Sequence, residues 1–402
     1  MLRKRGCAVG EPYLLDYVRT PRGGGTASGG LHHVPPLALV TTLLDALVGR
    51  GLDPTRVGDV VLGCAAQVGE QGGNLARTAA LLADWGHGVP GVMVNRFCAS
   101  GIDAVAQAAA RVRAGEVDLV VAGGVESTSR VGPLATRSPL WTDAEVVRRT
   151  GSVHPGVAAD LNATLDGFDR DELDGYALES QHKAAAAWRT GAFDRSLVPV
   201  GGLDRDELVR PDSSRDVLST LPPAYAGIGA DGHDALALAG RDSPRRIDHR
   251  HTTATSPTPA DGAALLVIGD ERAAQRLGMT PRARIVTTAV VARDPVRMLT
   301  AGQEAMARAM LRAGITPGQV DVFEFAESFA ALCLRLRWAF DAGPERLNPA
   351  GGTIALGHPV GATGAIMVGG CLEELERRAG RLGVAGVSAP TGLGVGLVLD
   401  RG

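Results

Sequence analysis

No apolar run in this 402-residue chain approaches the roughly 18 residues that a membrane-spanning helix requires. The first residues, MLRKRGCAVGEPYLL, are basic, but no continuous apolar stretch follows them. They read as a ragged cytosolic N-terminus and not as a secretion signal. Cysteine is scarce and scattered: Cys7, Cys64, Cys98, Cys333 and Cys371, with no pair at CxxC spacing. That argues against a zinc site or a disulfide framework, and free thiols in a reducing, cytoplasmic compartment are expected. Lysine is nearly absent, Lys4 and Lys183 against a large excess of arginine, which reflects coding bias and not a binding surface. With a net charge of −3 and a pI of about 6.3, neither nucleic acid nor an anionic membrane is expected as a partner. No GxGxxG motif stands between a predicted strand and a helix, so no nucleotide redox site is expected.

What is present is apolar and regularly organised. At 45% hydrophobic residues the chain can bury a large core and form more than one domain. Continuous apolar strands such as VGDVVLGCAAQ and VDLVVAGGVES alternate with Ala/Leu-rich helices such as NLARTAALLADWG, closed by Gly86, and GIDAVAQAAARVRAGE, closed by Gly115. Such strands suit an α/β sheet covered on both faces. The alternation recurs late: GQEAMARAMLRAG is helical and VDVFEFAES is strand-like. GATGAIMVGGCLEELERRAG is a helix, and LGVAGVSAP with VGLVLD forms a terminal hairpin. In both halves a Gly-rich turn opens a helix that leads to an apolar strand, the pattern of an internal duplication. Between the halves, from about Thr128 to Arg250, the pattern breaks. One helix, RDELDGYALESQHKAAAAWRTG, stands out in what reads as an inserted excursion. Its interleaved charges predict a solvated face rather than a membrane or partner helix.

Cys98 stands in NRFCASGIDAVAQ, just before a predicted helix. A thiol there feels unpaired N–H groups and the positive end of the helix dipole, both of which favour thiolate. Small neighbours, Ala99, Ser100 and Gly101, would let an acyl group approach. The plainer alternative is a packed structural thiol, since free cysteine is commonly buried. His358, in NPAGGTIALGHPVGATGA, sits in a rigid turn before a second helix, and taken alone it is equally a loop histidine without a task. At matching turns of a duplicated fold the two would meet near the pseudo-twofold axis, the arrangement of a thiol activated by imidazole.

These stretches resemble the thiolase family over nearly the whole chain. The resemblance is carried by VRTPRGG, GCAAQVGEQGGNLARTAALLA, VNRFCASGIDA, VAGGVESTSRVG and LESQHKAAAAWRTGAFDRSLVPV, and continues through PADGAALLVIGD, GMTPRARI and GGTIALGHPVGATGA. It implies a thiolase-like α/β fold of two duplicated five-layered halves with an inserted loop domain. The N-terminal half would take residues 1–127 and 251–272, the loop domain 128–250, and the C-terminal half 273–402. It also implies a homodimer or tetramer, and coenzyme A thioester as substrate with no cofactor or metal. It assigns Cys98 as the acylated residue and His358 as its activator and an enolate stabiliser. His154, in HPG, resembles the segment beside a pantetheine tunnel, and Arg210 an arginine near the coenzyme A nucleotide. Phe329 matches a family aromatic, and Ser256 stands beside Pro257, where the family often has serine.

Three departures cluster at the chemistry. Ala326 occupies the position where the family holds an enolate-stabilising water through Asn or His. Ser388 matches a second, acid/base cysteine, and a hydroxyl is a poor base. Pro390 falls where the family uses a glycine N–H in the oxyanion hole, and proline has none. Cys333, four residues past Phe329, is a candidate replacement thiol. Cys64 and Cys371 are expected in the core, and Glu126 is expected to tie loops together. Acylation of Cys98 is therefore expected to survive better than carbon–carbon bond making or thiolysis. An acyl-carrier donor, transfer to an oxygen or nitrogen nucleophile, and a non-catalytic scaffold built on the same fold all remain alternatives.

Overall fold

The computed structural model describes residues 10–402, so Cys7 and the basic N-terminal residues lie outside the described residues. Among the described residues there are ten strands: β1 (Tyr13–Arg19), β2 (Gly23–Gly24), β3 (Asp59–Gly63), β4 (Gly91–Val94), β5 (Leu119–Ser127), β6 (Ala260–Gly269), β7 (Ala283–Ala292), β8 (Val322–Phe325), β9 (Leu382–Ala389) and β10 (Leu393–Asp400). Their order is β4-β3-β5-β6-β1-β7-β10-β9-β8, with β2 beside β6.

The repetition foreseen in the sequence is written in the pairing. In the first half β1 pairs antiparallel with β6, β6 antiparallel with β5, and β5 parallel with β3. In the second half β7 pairs antiparallel with β10, β10 antiparallel with β9, and β9 parallel with β8. The halves join edge to edge where Tyr13 and Leu14 of β1 meet Arg284 and Ala283 of β7. The tight β9–β10 turn corresponds to a connection of more than a hundred residues between β5 and β6, and this excursion carries most of the irregular structure.

Five layers result, built jointly by the two halves. Strand residues alternate faces with period two. Leu15, Val18 and Val60 pack outward against helices Pro36–Gly49 and Leu75–Leu82. Leu14, Tyr17 and Val61 of the first half and Ala385, Val387 and Val395 of the second face one shared central cluster. Helices Ser100–Arg113 and Val360–Arg377 fill that central layer, mostly buried, which is why they are rich in Ala, Gly and Val. Val384 and Val398 point the other way, toward helices Ala301–Ala313 and Ala330–Phe340.

Local differences from the sequence reading have simple causes. The helix of NLARTAALLADWG ends at Leu82, because Asp84 takes a left-handed conformation before Gly86 is reached. The excursion holds more than one helix. Pro155–Asp166 was hidden by its Pro-Gly start, which is a favoured helix opening when the preceding side chain caps it. Helix Arg170–Arg189 has the expected solvated face, but Tyr176 and Ser180 on its other face are buried against the second half. Arg19 and Asp206 form a buried bidentate pair that pins the excursion to β1. Among the described residues no helix is long and apolar enough to cross a membrane, and no group of side chains is arranged to hold a metal.

Candidate active site

The two central helices cross at glycines. A Cβ on Gly101 would lie 2.7 Å from the Gly361 carbonyl, and one on Gly364 would lie 2.4 Å from the Ile102 nitrogen. Only residues without side chains allow this backbone approach. It draws together the N-terminal ends of both helices, and Cys98 and His358 hold equivalent places, each two residues ahead of its helix.

The turn around Cys98 is held by its neighbours. The Ser100 hydroxyl donates to the Phe97 carbonyl at 2.6 Å and accepts from the Arg96 N–H at 2.9 Å. Arg96 pairs with Asp103 at 3.1 Å. Phe97 is left with φ of +50°, a left-handed conformation that is costly for a bulky side chain. This strain sets the thiol on the wall of a cavity of about 840 Å³. Val360, from the His358 turn, and Pro390, from the end of β9, line the same cavity, as do Glu126, His154 and His233. The Cys98 thiol is not a resting thiolate. Burial and the nearby Glu126 carboxylate push its pKa up to about 12, outweighing a backbone hydrogen bond that lowers it. Burial of the sulfur therefore opposes the expected pull of the helix end.

His358 is oriented more firmly than it is charged. Its backbone N–H donates to the Thr258 carbonyl at 2.7 Å, after a left-handed Gly357 whose Cβ would strike Leu208 and Ala260. Its Nδ1 lies 2.7 Å from the Thr363 hydroxyl. That hydroxyl has one proton, which goes to the Pro359 carbonyl at 3.1 Å. It must therefore accept from Nδ1–H, which leaves Nε2 of the neutral ring as a free acceptor. Burial and then the Arg22 charge lower the imidazole pKa to about 4, so the ring is a neutral base near pH 7.

Glu126 ties loops, as expected. It accepts from the Ala65, Ala66 and Gly361 N–H groups and from Gln71, joining the loop after β3 to the start of helix Val360–Arg377. Glu327 does the same lower down, accepting from Tyr176, Ser180, Asn348 and the Ile354 N–H. Cys64 and Cys371 are buried core thiols. Cys333 is also fully buried, is absent from the residues lining the Cys98 cavity, and so does not stand in for a second cysteine.

Several other assignments need correction. Ser388 does not face Cys98. Its hydroxyl donates to the Leu299 carbonyl at 2.6 Å and accepts from the Gly302 N–H at 3.0 Å, on the side of β9 that meets helix Ala301–Ala313. Strand alternation instead turns Ala389 toward the central layer, against which Cys98 also packs. Pro390 does line the Cys98 cavity, and it brings no N–H to it. Ala326 does not line that cavity. It borders a separate space of about 40 Å³ beside Arg22, Glu324 and Thr363. Ser256 and Phe329 are packed away as well. The Ser256 hydroxyl accepts from Tyr225 at 3.0 Å and donates to the Thr252 carbonyl at 2.6 Å. Phe329 meets Tyr225 and His251 edge-on, at 5.7 and 5.4 Å between ring centres. Arg210 is exposed; its backbone N–H donates to the Gln181 side chain and its carbonyl accepts from the Ser213 N–H.

His154 does line the cavity. Its Nδ1 accepts the Gly156 N–H at 3.1 Å as the cap of helix Pro155–Asp166. Its own N–H donates at 2.9 Å to Nδ1 of His233, a residue the sequence reading passed over. Each ring accepts on Nδ1, so its proton is on Nε2. No local signal marked His233, which lies in the least regular part of the excursion. Thr363 could have been noticed, one turn past His358 in GHPVGATGA.

The comparisons agree with this architecture. Residues 13–231 match the thiolase N-terminal domain and residues 279–401 the thiolase C-terminal domain. The chain therefore belongs to the thiolase family. It is 33% identical to the 3-ketoacyl-CoA thiolases of Enterobacter sp. (strain 638) and Klebsiella pneumoniae, over 96% of this chain and 98% of each relative. Its fold is similar to the crystal structure of the Bacillus anthracis acetyl-CoA acetyltransferase, with a TM-score of 0.85 and 30% identity, over 98% of this chain and 100% of that one.

Proposed function

We propose that the protein is an acyltransferase that draws an acyl group from a coenzyme A thioester, or an equivalent carrier thioester, onto Cys98 and hands it to a second substrate. The observation that carries this reading is the pairing of two helix mouths, a thiol open to a large cavity at one and an imidazole with Nε2 free at the other. In acylation the Cys98 thiol proton passes to His358 Nε2 as the sulfur bonds to the thioester carbon. The carbon–sulfur bond to the donor then breaks, and the imidazolium returns its proton to the departing thiolate. Neutral thiol and neutral imidazole are the resting pair, so the proton moves only when substrate is present. The reading is supported by family membership and by the activities for which the relatives are named.

The second half-reaction is reduced by what the site lacks. Condensation or thiolysis calls for a further base, and the Ser388 hydroxyl on β9 is turned away, bonded to Leu299 and Gly302. The absent N–H at Pro390 removes one oxyanion donor, a loss worth about 2.7–4 kcal/mol in sites of this type. Transfer to an acceptor that brings its own acidity, or to oxygen or nitrogen, is favoured over ordinary thiolysis. The test is intact-protein mass spectrometry after exposure to a panel of acyl-CoAs. An acyl adduct on the wild type and none on Cys98→Ala is expected; no adduct from any donor would overturn the reading. The same result decides for or against the scaffold alternative, which requires no adduct.

A further inference from the structure

Two histidines and two aspartates meet where the excursion closes on itself, none of them lining the Cys98 cavity. Asp160, fully buried on helix Pro155–Asp166, accepts on Oδ1 from the Arg250 and His251 N–H groups at 3.1 and 2.9 Å and from His251 Nδ1 at 2.7 Å. Its Oδ2 faces His249 Nδ1 at 2.8 Å, and His249 Nε2 faces Asp234 Oδ2 at 3.0 Å. A carboxylate only accepts, so a ring set between two of them donates from both nitrogens and is an imidazolium. Burial alone would lower the His249 pKa, but the bonds to Asp160 and Asp234 outweigh it and raise the value above the ordinary 6.5. The segment fastened this way, residues 229–238, has little else to hold it. Only Gly229 and Ala237 in it are buried, which places it at the low end of local stability. It bends at Gly232, with φ of +113°. A Cβ on Gly229 would lie 2.5 Å from both Asp234 Oδ1 and His249 Nε2, so glycine lets the segment reach the ring. Asp234 Oδ1 is buried without a partner, which leaves His249 as that carboxylate's whole side-chain hold. His233, next in the chain, carries the segment into the wall of the Cys98 cavity.

We infer that residues 229–238 are a strap released by rising pH, with His249 as its clasp, and that release moves His233 out of the cavity wall. Once His249 gives up a proton, its ring donates to one carboxylate only. Asp160 keeps that bond, being fully buried and held by three other donors. Nε2 then turns a lone pair on Asp234, whose side chain is 30% exposed and reaches water by turning outward. The other groups around the clasp are already matched. Arg250 pairs with Asp248, and Arg241, just past the strap, with Asp294. His251 donates on Nδ1 and accepts the Ala331 N–H on Nε2, while His154 and His233 accept on Nδ1, so these three rings are neutral when the strap is closed. Because folding raises the His249 pKa, the clasp contributes fully below the ordinary 6.5 and is lost as pH rises through the raised value.

The test follows hydrogen exchange of residues 229–238 by mass spectrometry from pH 6.5 to 9, corrected for intrinsic exchange, with helix Ser100–Arg113 as the internal control. Wild-type protection should fall at least about tenfold, the size of one charge-assisted hydrogen bond, while the control holds. Asp234→Asn supplies an N–H that a neutral His249 can accept, so its strap should stay protected across the whole range. His249→Gln should leave the strap poorly protected at every pH. Should that variant fail to fold by circular dichroism, the wild type and Asp234→Asn carry the comparison. Carbon-13 NMR of labelled histidines should place the His249 midpoint above 6.5. A second readout is Cys98 alkylation by pyrenylmaleimide divided by that with iodoacetamide, which cancels thiolate formation. This ratio should rise several-fold over the same pH range in the wild type and stay level in Asp234→Asn. Level wild-type protection, an alkaline loss that persists in Asp234→Asn, or a midpoint at or below 6.5 overturns the strap. A level wild-type ratio overturns its hold on the cavity wall. None of these readouts uses an acyl donor, so their failure leaves the acyl-enzyme reading standing.

Discussion

The mouths of helices Ser100–Arg113 and Val360–Arg377 are the same element used twice, and they differ in what surrounds them. Cys98 opens onto the large cavity, and its turn carries a strained Phe97. His358 is closed in, with its backbone tied to Thr258 and its ring to Thr363. One repeat therefore opens its thiol onto the cavity while the other sacrifices exposure for orientation. Neither group is charged at rest. Burial lifts the thiol and lowers the imidazole, which separates their pKa values instead of bringing them together.

The largest effect should come from removing the oriented member. His358→Ala is expected to lower the rate of Cys98 acylation about 10²- to 10⁴-fold, read by the time course of the mass adduct. A loss below threefold would mean that the His358 mouth does not serve the Cys98 mouth. The two faces of β9 provide the next contrast. Ala389→Cys should raise 3-ketoacyl-CoA thiolysis by roughly 10²-fold, because it returns a thiol to the central layer. Ser388→Cys should give no gain, since that side chain is committed to Leu299 and Gly302. Gain from Ser388→Cys alone would reverse the facing of this strand.

A smaller effect is expected at Thr363. Thr363→Val removes the acceptor for Nδ1–H and should reduce the turnover rate three- to tenfold with little change in KM, and Thr363→Ser should restore it. The last contrast is in pH dependence. A thiol with its pKa near 12 gains thiolate steadily as pH rises, so iodoacetamide alkylation of Cys98 should accelerate from pH 6 to 10 without levelling off. A plateau with its midpoint below pH 8 would mean that the helix end overcomes burial after all.

Much of the frame was readable in the chain itself. Gly-rich turns ahead of Ala-rich helices marked both central helices and the repeat, and the motifs around Cys98 and His358 carried the family. Pro390 was also readable, because the absence of an N–H belongs to the residue wherever it sits. The direction of Ser388 was not. A strand sends alternate side chains to opposite faces, so one position of phase decides whether a hydroxyl meets the nucleophile or a neighbouring helix. Ser256 and Phe329 failed for a related reason: Tyr225 and His251, distant or unremarked in sequence, close on them and leave no open surface.

By itself the sequence determined which chemical groups are available, where the two helices begin, and that one unit is used twice, since composition and periodicity are local. Tertiary structure alone decided the protonation of Cys98, the tautomer of His358, and the pairing of His249 with Asp160 and Asp234. Each depends on desolvation or on a partner far along the chain, and those come into being only when distant segments exclude water together.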